Sequence, residues 1–144
     1  MFGDSSALVK LYADERDADE VRRLAQVVAA RVARVEVPAA LWRKHRTGEL
    51  SIEDTATLVR AFEVDWLGPA PGQGRFAVMT LTDQMLNDAA GLCATDELRG
   101  YDAIQLATAE AARVADPGCD SFACFDGDLR SAAARRGFAL IPAG

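Results

Sequence analysis

One histidine and three cysteines leave this chain little of the chemistry that soft metals, disulfides and imidazole bases require. Cys93, Cys119 and Cys124 are odd in number and form no CxxC pair, which argues against a disulfide framework and a zinc site and fits a reducing cytoplasm. No stretch approaches the roughly 18 consecutive apolar residues of a transmembrane helix, and Met1 to Lys10 lacks a charged segment followed by a long apolar one. The expectation is a soluble, cytoplasmic protein with no membrane partner. A bulk positive field is missing too: the net charge of −6 argues against a domain that grips nucleic acid mainly through its overall charge. A nuclease stays open, because carboxylates that ligate a cation count as negative until the cation binds. Internal repeats and low-complexity tracts are absent, and the length suits one domain, spanning 1–144 and burying about two-thirds of its unfolded surface.

What is present is an alternation of helical and strand signals. Asp4-Ser5-Ser6 supplies N-cap residues for a helix over Ser6 to Ala13, after a very short apolar start, and a second helix is expected over Asp17 to Gln26 with Val21, Leu24 and Ala25 on one face. Val27 to Ala30 reads as a short strand. From Arg31, the residues Val32, Val35, Ala39 and Trp42 recur at helical spacing and put Glu36 on the flank of a buried stripe. Pro38 requires that helix either to kink or to begin at the proline, since a mid-helix proline costs about 3 kcal/mol. Thr47-Gly48 ends it, and Ser51-Ile52-Glu53-Asp54, a capping-box variant, opens a helix to about Trp66. Residues 67–75, containing Gly68-Pro69-Ala70-Pro71-Gly72, form a loop inside the domain.

The second half continues the pattern, with a strand over Phe76 to Leu81 and a helix from Thr82-Asp83 to about Ala94. An alanine-rich helix starts at Gly100, with Ile104, Ala107, Thr108 and Ala111 on one face, and Pro117-Gly118 breaks it. A buried strand over Ser121 to Phe125, a helix from Asp126-Gly127-Asp128 to Gly137 and an edge strand over Phe138 to Ile141 complete the chain. Strands alternating with helices predict a three-layer α/β/α fold with a central, mainly parallel sheet of four to five strands.

That fold gathers four acids. Ligands of open parallel sheets bind beyond the carboxyl ends of the strands, where strand-to-helix loops emerge and helix N-termini point. Asp4 and Asp126 each follow a strand, and Glu36 and Asp102 lie in the first turns of helices that start at the same edge if the crossovers are right-handed. Singly, each has a plainer role: Asp4 and Asp126 as N-caps worth about 1 kcal/mol, Asp102 as a complement to the helix dipole, Glu36 as a solvated charge. As a cluster they need more, because two unit charges about 4 Å apart repel by roughly 4 kcal/mol at an effective dielectric of 20 and call for a cation or raised pKa values. Oxygen donors without histidine or thiolate suit Mg²⁺ or Mn²⁺, and the chemistry expected is attack of a metal-activated water on a phosphodiester.

The catalytic candidates are therefore Asp4, Glu36, Asp102 and Asp126, with Asp4, Asp102 and Asp126 as metal ligands and Glu36 and Asp128 as further candidates for that role. Ser6 is placed either to orient a carboxylate or water or to serve as a plain N-terminal serine. Arg99, just before the acidic helix, is placed for a phosphate or partner contact. Arg43, Lys44 and Arg46 read as a solvated face or dipole complement able to steer a phosphate backbone. His45 reads as a surface residue, and Trp42 and Trp66 as core or dimer-contact residues.

Four segments together carry a resemblance: Asp4-Ser5-Ser6-Ala7-Leu8-Val9-Lys10-Leu11-Tyr12, Arg34-Val35-Glu36, Arg99-Gly100-Tyr101-Asp102-Ala103-Ile104-Gln105-Leu106-Ala107-Thr108-Ala109, and Phe125-Asp126-Gly127-Asp128-Leu129. In this order, over nearly the whole chain, they resemble the PIN-domain ribonucleases, specifically the VapC toxins of bacterial toxin–antitoxin pairs. The resemblance implies a PIN-like fold and a Mg²⁺-dependent endoribonuclease, Mn²⁺ substituting, that cuts structured RNA such as tRNA or ribosomal RNA. It also implies a homodimer inhibited by a VapB-type antitoxin, which inserts a basic side chain into the acidic site and provides the only link to DNA. Asp4, Glu36, Asp102 and Asp126 match the family's four acids, with Asp128 a neighbour of the last, and Ser6 matches its hydroxyl.

Three positions depart from the family pattern. Gly3 replaces an apolar residue before the first Asp, where the strand is very short, as expected if the sequence starts late. Pro38 lies in the helix carrying Glu36. Cys124 stands where the family commonly has Thr or Ser, two residues before the fourth acid, and removes a hydroxyl from the surroundings of the metal. Haloacid-dehalogenase phosphatases need a second Asp where Ser6 stands, and receiver domains need a lysine that neither Lys10 nor Lys44 supplies. The stronger alternative is a catalytically weak or inactive PIN-like module that binds protein or RNA. Apolar residues of the early helices, among them Leu8, Val9, Leu11, Tyr12, Val32, Val35, Trp42, Leu58, Val59 and Phe62, are expected to exceed what one side of a small sheet covers and to mark the dimer or antitoxin interface.

Overall fold

Five parallel strands form one sheet in the order β3-β2-β1-β4-β5: β1 Phe2–Gly3, β2 Val27–Ala30, β3 Phe76–Met79, β4 Ser121–Ala123 and β5 Ala139–Ile141. The computed structural model describes residues 1–24, 26–70 and 72–143. Seven helices among them flank the sheet: α1 Ser5–Val9, α2 Ala18–Arg22, α3 Ala33–Arg46, α4 Ile52–Leu67, α5 Asp83–Thr95, α6 Gly100–Ala115 and α7 Gly127–Arg135. The result is the three-layer α/β/α arrangement. No helix among the described residues is long and apolar enough to cross a membrane.

The period-two alternation of the strands divides the core. Phe2, Ala30 and Phe122 point to one face, where they join α5, α6 and α7 residues such as Leu92, Leu106 and Leu129. Val27, Ala29 and Ala123 point to the other, where Leu8, Val37, Leu41 and Phe62 from α1, α3 and α4 cover them. Gly3 sits on this second face, where a Cβ would lie 2.7 Å from Val27 Cγ1 and force a shift.

Several expected boundaries move. The first helix starts at Ser5 and ends at Val9 rather than Ala13, because the Lys10, Leu11 and Tyr12 N–H groups turn back to the Ala7, Leu8 and Val9 carbonyls in a tighter, three-residue pattern. α2 ends at Arg22, not Gln26; Ala25 of its expected face lies outside the described residues, as does Pro71 of the expected loop. The strands end earlier than expected, at Met79 and Ala123.

α3 begins at Ala33, so Pro38 lies inside it and leaves the Arg34 carbonyl without an N–H four residues on. Its buried stripe is Ala33, Val37 and Leu41, whereas Val35 is 66 % exposed. The expected stripe through Val35 and Ala39 is displaced by about half a turn, because α3 turns its alternate face to α1 and α4. On α6 the buried positions extend beyond the expected stripe to Ala103, Gln105, Leu106 and Ala109, since this helix packs against both the sheet and its neighbours, while Ile104 and Ala111 stay half-buried. The expected apolar surplus also shrinks, because Leu8, Val9, Leu11 and Phe62 are buried in the protein's own core.

Candidate functional site

β1 and β4 lie side by side, with Gly3 opposite Ala123, and the Asp4 N–H donates to the Ala123 carbonyl at 3.0 Å. From β1 the chain moves outward through β2 to β3, then returns across the sheet to β4 and continues to β5 on the other side. The carboxyl ends of β1 and β4 therefore flank the switch point where such sheets leave a crevice. Asp4 and Asp126 stand at its two lips. Glu36 from α3 and Asp102 from α6 join them around one cavity of about 640 Å³.

Asp4 is 4 % exposed and caps α1. Its Oδ1 accepts from Ser6 Oγ at 2.7 Å and from the Ala7 N–H at 3.0 Å, and its Oδ2 accepts from the Cys124 thiol at 3.4 Å. Burial pushes its carboxyl up to about 6; those three hydrogen bonds oppose the rise and the Glu36 charge adds to it. Ser6 Oγ also accepts the Phe125 N–H at 2.8 Å, tying the α1 start to the end of β4. Cys124 acts as a weak donor to Asp4 and a weak acceptor, at 3.4 Å, of the Asp126 N–H. Burial and the Asp4 charge drive its thiol pKa well above the ordinary range, so it stays protonated.

Asp126 caps α7 through Oδ1, which accepts the Asp128 and Leu129 N–H groups. Its Oδ2 accepts from Arg99 Nη2 at 3.0 Å, while Arg99 Nε donates to Asp102 Oδ2 at 3.1 Å. One guanidinium thus spans two of the four acids. Burial raises the Asp102 pKa, the Asp126 charge adds to the rise, and Arg99 opposes it. Glu36 Oε2 accepts from Ser5 Oγ at 2.6 Å and from Gln105 Nε2 at 2.6 Å.

The structure therefore brings together all four predicted acids, with Ser6 and Arg99, and leaves others outside. Asp128 is exposed, and neither it nor His45, Lys44, Trp42 or Trp66 lines the cavity. His45 instead contacts the Leu50 carbonyl through Nδ1. The capping roles of Asp4 and Asp126 coexist with their place in the cavity, because each cap uses Oδ1 alone, while Oδ2 accepts from Cys124 in Asp4 and from Arg99 in Asp126.

Ser5 and Gln105 were missed by sequence reasoning. Gln105 is 1 % exposed, donates from Nε2 to Ser5 and Glu36, and keeps a buried Oε1 without a partner. A signal existed: Gln105 is a polar residue among alanines and leucines, one turn after Asp102 on the same helix face.

Among the described residues, no group of three or more His, Cys, Asp and Glu side chains is arranged to hold a metal ion as it stands. In this arrangement Arg99 occupies Asp102 and Asp126, and Ser5 and Gln105 engage Glu36. The donor chemistry nonetheless fits a hard dication, since every acid offers oxygen and Arg99 already places a positive charge between two of them. No family model matches the chain, and no curated protein matches it.

Proposed function

We propose that this chain is a divalent-cation-dependent endoribonuclease of the PIN type, a VapC-like cytoplasmic toxin that cuts structured RNA and is restrained by a VapB-type antitoxin. One observation carries the reading: four carboxylates from four separate segments line a single cavity at the switch point of a parallel sheet. In it, Asp4, Asp102 and Asp126 would hold Mg²⁺ or Mn²⁺ once Arg99 gives up Asp102 and Asp126. The cation, when bound, supplies a water of lowered pKa and a positive charge near the departing oxygen. Ser6 and the Ala7 N–H fix the rotation of the Asp4 carboxylate. Glu36, with Oε2 committed to Ser5 and Gln105, keeps Oε1 to accept a proton from the attacking water.

Purified protein incubated with tRNA or ribosomal RNA should cleave it in Mg²⁺ or Mn²⁺ and not in EDTA, and Asp102→Asn should remove that cleavage. Sequencing of RNA 5′ ends after brief induction identifies the cut. A second reading, an inactive module that binds protein or RNA, draws on the guanidinium that neutralises Asp102 and Asp126. Absence of cleavage together with a melting temperature that Mn²⁺ leaves unchanged would select it. Light scattering, alone and with the product of the adjacent reading frame, tests the homodimer and the antitoxin complex.

A further inference from the structure

Lys10 is 8 % exposed, an unusual burial for a lysine, and it stands just past the last residue of α1. Its Nζ donates to Glu15 Oε2 at 2.9 Å and to the Arg16 carbonyl at 2.7 Å. The remaining side of the ammonium is covered by a ring, since the centroid of Phe125 lies 4.2 Å away. Glu15 pairs in turn with Lys44 at the end of α3, and Lys44 with Glu49 at 2.9 Å, so that two cations and two anions balance in one chain of contacts. Burial would raise the Glu15 pKa, but hydrogen bonds from Lys44 and Lys10 outweigh it and keep the carboxyl below its ordinary value. Lys10 is held in place from every side.

What it holds is the turn between β4 and α7. Phe125 is the single residue between Cys124 and Asp126; its N–H donates to Ser6 Oγ at 2.8 Å, and its ring faces Lys10. Ser6 and Lys10 are four residues apart, so one turn of chain presents both to the same residue. A single hydrogen bond is a hinge, about which Phe125 and the residue after it could rotate. Two contacts, one to the main chain and one to the ring, remove that rotation. Because Asp4 caps the helix that makes both contacts, the same pair fixes the Asp126 carboxylate relative to that of Asp4. Fastening the segment before α2 would need only Glu15 and the Arg16 carbonyl, with no aromatic face.

We infer that Lys10 is a positioning residue for Asp126: through the face of Phe125, and together with Ser6, it sets the direction in which that carboxylate enters the acidic cavity. The consequence for metal binding rests on reading the cavity as a cation site, whereas the positioning itself needs no metal. Charge and position act here with opposite signs. Removing a cation near carboxylates lets them attract a dication more strongly, but a carboxylate set loose no longer offers the geometry that a metal requires. The sign of the change in affinity separates the two.

The test compares the parent with Lys10→Gln, Lys10→Arg and Phe125→Leu. Amide hydrogen exchange, followed residue by residue by NMR in EDTA, reads the turn directly, because Asp126 Oδ1 protects the Asp128 and Leu129 N–H groups and Ser6 protects that of Phe125. Lys10→Gln and Phe125→Leu should each speed exchange at these three amides about tenfold, the effect of losing a desolvated cation–ring contact, and leave the amides of α5 as in the parent. Lys10→Arg keeps a cation for both Glu15 and the ring and should stay close to the parent. Calorimetric titration with Mn²⁺ should then show affinity about tenfold weaker in the first two variants. Unchanged protection at the turn, tighter Mn²⁺ binding by Lys10→Gln, or protection lost evenly over the whole chain in both variants would overturn the inference. Selective loss at the turn in a chain that binds no Mn²⁺ and cuts no RNA would keep the positioning role and refute the nuclease; Mn²⁺-dependent cleavage with the turn unmoved would do the reverse.

Discussion

Replacing Asp4 by asparagine should make the metal-free protein more stable at neutral pH. The carboxyl is 4 % exposed, and burial lifts its pKa from 3.8 to about 6. An acid whose folded pKa lies above its unfolded value binds more protons folded than unfolded between the two, so its contribution to stability is complete below the unfolded pKa and is lost as pH rises through the folded one. The gap, at 1.36 kcal/mol per pH unit, corresponds to about 3 kcal/mol of destabilisation above pH 6. Asparagine has no charge to desolvate, and its oxygen keeps the hydrogen bonds from Ser6 and Ala7; turning an amide toward Cys124 gives back about 1 kcal/mol. The net gain at pH 7 is therefore about 2 kcal/mol, or several degrees in Tm for a chain of this size. Urea unfolding in EDTA from pH 4 to pH 8 measures it. The two proteins should converge toward pH 4 and separate above pH 6. Added Mn²⁺ should reverse their order, because mass action at a hundredfold excess over Kd contributes about 2.7 kcal/mol to whichever protein binds it. Parallel pH curves, or an Asp4→Asn protein less stable at pH 7, would show that hydrogen bonds rather than burial dominate at this carboxylate and would refute the reasoning.

Arg99→Gln should bind Mn²⁺ several-fold more tightly by calorimetry, since the metal no longer displaces a guanidinium from Asp102 and Asp126; equal affinities would place the metal elsewhere. Asp96, held down to about 2 by Arg136 and Arg135, stabilises the fold above the ordinary carboxylate range and loses that contribution as pH falls from about 4 through about 2. Asp96→Asn should accordingly flatten the acid limb of the stability curve, which thermal melts between pH 2 and pH 5 would register. Gln105→Leu removes the donors to Glu36 and Ser5 and should lower RNA cleavage while costing only about 1–2 kcal/mol of unfolding free energy, because its Oε1 has no partner to lose.

The alternation of strands and helices, the caps at Asp4, Ser51, Thr82 and Asp126, and the convergence of four acids on one sheet edge were legible in the sequence alone. Each depends on local chemistry or on a handedness rule that needs no coordinates: a side-chain oxygen beside free N–H groups makes a cap, and parallel strands send their carboxyl ends to one side. What local chemistry does not specify is which face of a helix meets the sheet. On α3, spacing alone admitted Val35 and Ala39 as buried, and only packing against α1 and α4 selected Ala33, Val37 and Leu41, which left Arg43 and Arg46 at the cavity. Contacts between distant segments were equally invisible. Gln105 reaches Ser5 across 100 positions, Cys124 meets Asp4 across 120, and Arg99 bridges to Asp126 across 27. The tertiary structure decided these pairings because a hydrogen bond or ion pair depends on the distance between two side chains, which the fold sets only when all the layers have packed.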